Sequence, residues 1–111
     1  MTSSSGRKGN RGELEAAAIL SDLLGFKVRR KLGAGRLDDT GDLDGIPDTV
    51  IQVANWKDTA AAVRSKPVSA EQQRVNAGAT FVATMVRFPG GTWRVVMTPE
   101  QYSCYVRESL A

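Results

Sequence analysis

The chain has 111 residues, 41% hydrophobic and 24% charged, a size and balance that suit one globular domain with a single core. It contains no histidine, which excludes Ser-His and Cys-His catalysis and histidine-based zinc sites, and its one cysteine, Cys104, excludes an internal disulfide. The net charge of +3 hides a division along the chain. Arg7, Lys8, Arg11, Lys27, Arg29, Arg30, Lys31 and Arg36 stand against Glu13, Glu15 and Asp22 in the first part, whereas residues 37–48 hold Asp38, Asp39, Asp42, Asp44 and Asp48 and no base. A basic region beside an acidic knot suits a protein that grips a polyanion and needs a cation at one point; a solvated basic face next to an unrelated acidic loop has the same signature. No apolar run approaches about 18 residues and the Ser-rich start lacks an apolar signal region, so a cytoplasmic location is expected.

In chain order, residues 1–10 are small, polar and basic without periodicity, which predicts a flexible basic arm ahead of a single domain over residues 11–111. From Gly12 to Leu24 the apolar residues recur at helical spacing, and Gly25 is placed to end that helix. Glu15 falls on the border of the helix's apolar face. Phe26 to Leu32 alternates apolar and basic residues, the pattern of a strand with Lys27 and Arg29 on one face. The following Gly33-Ala34-Gly35-Arg36 loop would let a phosphate backbone approach closely and offers an arginine to it. Basic residues on an edge strand also serve simply to prevent aggregation.

Gly41-Asp42-Leu43-Asp44 then leads through the turn Ile46-Pro47-Asp48 into a β-branched strand, Thr49 to Val53. Two strands joined so tightly would set Asp42 beside Gln52, Ala54 and the Val53 carbonyl. Carboxylate, amide and carbonyl oxygens at one sheet corner are donors that Mg²⁺ accepts, although a polar hairpin with a solvated acidic turn reads the same way. Trp56 is expected at the core's edge or stacked on a base.

Asp58 to Arg64 is alanine-rich and Pro67 is expected to break whatever helix forms there. A second helix is predicted from Ser69, with Ser69 and Gln72 as a capping box, to about Ala77 before Gly78. Thr80 to Arg87 and Thr92 to Met97 read as a hairpin around Pro89-Gly90-Gly91, and Pro99 opens a final helix at its first position. Tyr102, Tyr105 and Val106 form that helix's apolar side. Cys104, within it, reads as buried filler.

Taken together, Arg11-Gly12-Glu13-Leu14-Glu15, Gly25-Phe26-x-Val28-x-Arg30, Gly41-Asp42 and the strand ending Gln52-Val53-Ala54-Asn55 resemble the PD-(D/E)XK nuclease superfamily. The nearest likeness is to small Holliday-junction resolvases, archaeal and phage-encoded. The resemblance implies an α/β, restriction-endonuclease-like fold with a mixed central β-sheet flanked by helices. It also implies a Mg²⁺-dependent (or Mn²⁺-dependent) DNA endonuclease that acts as a homodimer on four-way junctions.

Carried onto this chain, the resemblance makes Asp42, Gln52, the Val53 carbonyl and Glu15 the metal site. It makes Glu15, Asp42, Gln52 and position 54 the catalytic set. Gln72 or Gln73 would touch substrate, and Arg7, Lys8, Arg11, Arg29, Arg30, Lys31, Arg36 and Lys57 would contact DNA. Where the family's strand carries a lysine, this chain has Ala54, which cannot orient a water, and Lys57 lies three residues further on and on the opposite strand face. The expectation is therefore a chain that binds DNA and cleaves it poorly, by engineering or by natural decay. A non-catalytic DNA-binding protein, or a restriction or repair nuclease on another DNA structure, are the alternatives.

Overall fold

A computed structural model describes residues 4–31 and 40–111, with side chains from Gly9 onward. Among these residues three helices and five strands follow one another as α1 (Ser4–Leu24), β1 (Arg29–Arg30), β2 (Leu43–Asp44), β3 (Thr49–Ala54), α2 (Thr59–Ala77), β4 (Phe81–Phe88), β5 (Thr92–Val96) and α3 (Pro99–Leu110). The strands form one mixed sheet in the order β1-β2-β3-β4-β5, so the fold is α/β with a mixed sheet flanked by helices. All neighbours are antiparallel except β3 and β4, which run parallel from Thr49↔Phe81 to Ala54↔Val86. A parallel pair needs a crossover, and α2 supplies it. Among the described residues no helix is long and apolar enough to cross a membrane.

The alternation of strand side chains divides the core into two layers. Ile51 and Val53 on β3, with Ala83 and Met85 on β4, pack against Ala16 and Ala17 of α1 together with Val28 and Leu43. On the other face Val50 and Val82 meet Ala70 and Ala79, while Ala54 and Val86 meet Ala62. Covered on both sides, β3 is buried from Val50 to Ala54, which is why it reads as a nearly continuous apolar run.

Several expectations are corrected. The segment expected as a basic arm is helical from Ser4, so α1 begins well before Gly12. Of the basic strand expected over Phe26–Leu32, the described residues Phe26–Lys31 form a strand only at Arg29 and Arg30; Val28 is buried and Phe26 is exposed. Arg36 and its glycine loop, with Asp38 and Asp39, lie outside the described residues.

The largest departure is α2. Pro67 does not break it: one helix runs from Thr59 to Ala77 with Pro67 inside. A proline within a helix costs about 3 kcal/mol. Burial of Ala62, Pro67, Ala70 and Gln73 on one side offsets that cost. The Pro67 carbonyl is also used, accepting from Gln101 Nε2 of α3 at 2.8 Å. Asp58 caps the helix through Ala61 N–H at 3.0 Å. Ser69 is therefore mid-helix, where its hydroxyl donates to the Lys66 carbonyl, and no capping box forms there. The helix ends as expected at Gly78, in the left-handed conformation (φ +65°). Pro99 opens α3 behind a capping box made by Thr98 and Gln101.

Candidate functional site

Asp42 precedes β2 and is drawn onto β3 by its own backbone: its N–H donates to the Ile51 carbonyl at 2.8 Å. Gly41 makes that approach possible. It sits at φ +102°, and a Cβ there would come within 2.8 Å of Val50 Cγ1. Asp42 Oδ2 then accepts the Val53 N–H at 2.8 Å, so the carboxylate is clamped to the edge of β3. The N–H and carbonyl of one strand residue point to the same side, which places the Val53 carbonyl on the Asp42 edge too.

Gln52 projects to the opposite layer, towards α2, and only 3% of it is exposed. Its carboxamide has complementary partners in one orientation alone. The oxygen then accepts from Lys66 Nζ at 2.6 Å, and the nitrogen faces Asp42 Oδ2 at 3.2 Å and the Gln73 amide, whose Oε1 and Nε2 lie at 2.6 and 2.9 Å. Lys66 and Gln73 lie on one side of α2 with Ala62 and Ala70, at helical spacing. The two small residues bring the helix close enough for the two long side chains to reach Gln52. Lys66 is half-buried, and its ammonium also lies 5.5 Å from the ring centroid of the exposed Trp56. Thr84, opposite Gln52 in the β3–β4 register, is fully buried, and its hydroxyl finds no partner among the described residues.

A charged and polar group of this kind inside a sheet–helix interface works against stability, since each member must be desolvated. Its presence in an otherwise apolar strand makes this part of β3 the candidate site.

The expected site is assembled only in part. Asp42, Gln52 and Val53 come together. Glu15 does not join them: its Oε1 accepts from Trp93 Nε1 at 2.6 Å and from Arg87 Nε at 3.0 Å, on the α1 face of β4 and β5. Those two donors, the indole first, hold the Glu15 carboxyl below the usual glutamate range. Glu13 is likewise engaged, bonded to Arg30 Nε at 2.9 Å. With its oxygen on Lys66, Gln52 turns its nitrogen to Asp42, whereas a cation held at Asp42 would favour the opposite orientation, which offers it the amide oxygen. Among the described residues no three His, Cys, Asp or Glu side chains gather in one place. A cation at this edge would rest on the Asp42 carboxylate and the Val53 carbonyl. That set suits Mg²⁺, which takes one or two carboxylates and leaves its remaining positions to water and phosphate oxygens.

Of the residues expected to contact DNA, Arg11, Arg29 and Lys57 are exposed. Arg30 is committed to Glu13 and Asn10, and Lys31 Nζ to the carbonyl and hydroxyl of Thr40. The Arg7 and Lys8 side chains, like Arg36, lie outside the described residues. Gln72 is exposed and bonds Asn76, whereas Gln73 is buried against Gln52.

Sequence reasoning missed Lys66. Its signal was present in the Ala62–Lys66–Ala70–Gln73 spacing, but that pattern crosses the proline expected to end the helix. Comparisons of the chain with protein-family models, with curated proteins and with solved structures find no match. The functional reading therefore rests on the sequence resemblance and the site's own chemistry.

Proposed function

We propose that this chain is a metal-dependent DNA endonuclease of the Holliday-junction resolvase kind. The observation that carries the reading is a carboxylate, a carboxamide and an ammonium linked in series, Asp42 to Gln52 to Lys66, around the end of one buried strand. The mixed sheet flanked by helices agrees with the architecture that the sequence resemblance implies. Exposed Arg11, Arg29 and Lys57 are suited to phosphate contact.

The reaction is hydrolysis of a phosphodiester. A water oxygen bonds to phosphorus and the P–O bond to one sugar breaks. One water proton ends on the departing sugar oxygen, and the other leaves with the phosphate monoester or to solvent. Mg²⁺ (or Mn²⁺) bound at Asp42 and the Val53 carbonyl would supply Lewis acidity and a more acidic water. Asp42 holds that edge, and Lys66 draws the Gln52 amide oxygen towards α2.

A two-fold-symmetric junction calls for two sites and so for a homodimer. Tyr102, Val106 and Leu110 support this, because they form an exposed apolar stripe along α3 at a spacing of four residues. One observation favours a second reading, a DNA-binding protein without cleavage: β3 carries no lysine at Ala54. The test is incubation of the chain with a synthetic four-way junction and with linear duplex, with and without Mg²⁺. Paired nicks in the junction alone support the resolvase. Cutting of duplex points to a different nuclease, binding without cutting to the second reading, and absence of binding at low salt overturns both.

A further inference from the structure

We propose that Lys66 of α2 supplies the catalytic ammonium that β3 lacks at Ala54, so that the chain is a competent nuclease with its cation moved from the strand to the facing helix. This inference rests on the nuclease reading above.

Position 54 has no room for a lysine. Ala54 is completely buried and packs with Ala62 of α2 and Val86 of β4. The helix crosses directly over the strand at this point, and an ammonium there would be sealed into an apolar layer. Ala62 lies one helical turn before Lys66 on the same side of α2, while Gln52 lies two residues before Ala54 on the same side of β3. The helix that closes position 54 thus delivers a long cationic side chain one step along the strand, at Gln52.

The geometry at Gln52 suits the role. Lys66 Nζ reaches the Gln52 oxygen at 2.6 Å, and the same carboxamide turns its nitrogen to Asp42 Oδ2 at 3.2 Å. The ammonium is thereby held one amide away from the carboxylate edge without being neutralised by it. Among the described residues Lys66 makes no ion pair. Of its three N–H donors one goes to Gln52, and the Trp56 ring centroid lies 5.5 Å from the nitrogen. A half-buried ammonium with donors to spare is complementary to the oxygens of a phosphate, where charge gathers as the water attacks. Lys66 on one side and Asp42 on the other set the orientation of Gln52, and the buried Gln73 packs against its amide.

The experiment compares the unaltered chain with Lys66→Met and Lys66→Arg, scoring Mg²⁺-dependent nicking of a four-way junction, junction affinity without Mg²⁺, and melting by circular dichroism. In parallel, acetylation of the lysines of the unaltered chain by an amine-reactive ester is followed by mass spectrometry, with and without the junction. The expected result is nicking by the unaltered chain and a loss of about a hundredfold or more in Lys66→Met. Junction affinity should stay within a few fold, and Lys66→Arg should recover part of the rate. Junction DNA should also protect Lys66 from acetylation, a readout that does not require the variant to fold. Nicking by Lys66→Met at the rate of the unaltered chain, or unprotected Lys66, overturns the role of Lys66 and leaves the nuclease reading standing. An unaltered chain that binds the junction and never cuts also overturns it. Failure to bind DNA at all overturns the nuclease reading itself.

Discussion

Asp42 Oδ2 accepts the Val53 N–H at 2.8 Å, so the side chain expected to hold a cation also ends the β2–β3 ladder. The two duties separate on substitution. Asp42→Asn keeps an acceptor for Val53 and removes the negative charge. Mg²⁺-dependent nicking should fall by about a hundredfold or more, with Mg²⁺ binding weakened by calorimetry and a melting temperature near that of the unaltered chain. A variant that cuts normally would remove Asp42 from the chemistry.

Ala54→Lys is the obvious repair of the motif, and the structure predicts that it fails. Overpacking against Ala62 and Val86 and burial of an ammonium should together cost about 3 kcal/mol or more in urea denaturation. Unchanged stability would show that the β3–α2 layer is looser at this point than its packing indicates.

Gly12 lies where α1 meets the end of β3, and a Cβ there would stand 2.8 Å from Asn55 Cβ. Gly12→Ala gains about 1 kcal/mol of helix propensity, but the contact is with the stem of Asn55 and cannot be relieved by rotating a side-chain tip. A net loss of about 1–2 kcal/mol is expected by chemical denaturation. A stabilised variant would place α1 further from β3.

Glu15 has its pKa lowered, by the Trp93 indole first and the Arg87 guanidinium next. A depressed carboxyl adds stability that is fully present above the ordinary glutamate value of about 4.3 and is lost as pH falls through its lower folded value. The contribution is modest, because the side chain is 42% exposed. Trp93→Phe should move the Glu15 carboxyl titration, followed by carbon NMR, back up towards its ordinary position. An unmoved titration would remove the indole as its cause.

Tyr102→Glu with Val106→Glu places two charges on the exposed stripe of α3, outside the candidate site. If that stripe joins two copies, sedimentation should show a dimer for the unaltered chain and a monomer for the variant, with the circular-dichroism spectrum unchanged. A monomer in both cases would remove this dimer surface.

What the sequence determined by itself is local. The acidic corner at Asp42, the turn through Asp48, the hairpin around Gly90 and the start of α3 at Pro99 each depend on neighbours a few residues away. Their propensities and turn chemistry are therefore legible along the chain. Three decisions required the tertiary structure. Pro67 stays inside α2 because the helix buries one side on the sheet, a gain invisible to any local rule. Glu15 is taken by Arg87 and Trp93, which lie more than 70 residues away in sequence. Lys66 meets Gln52 only because α2 crosses β3 at Ala54 and Ala62, where two alanines allow a close approach. Long-range packing decides which charges meet, since the distance between two side chains is set by the elements that carry them and not by their separation along the chain.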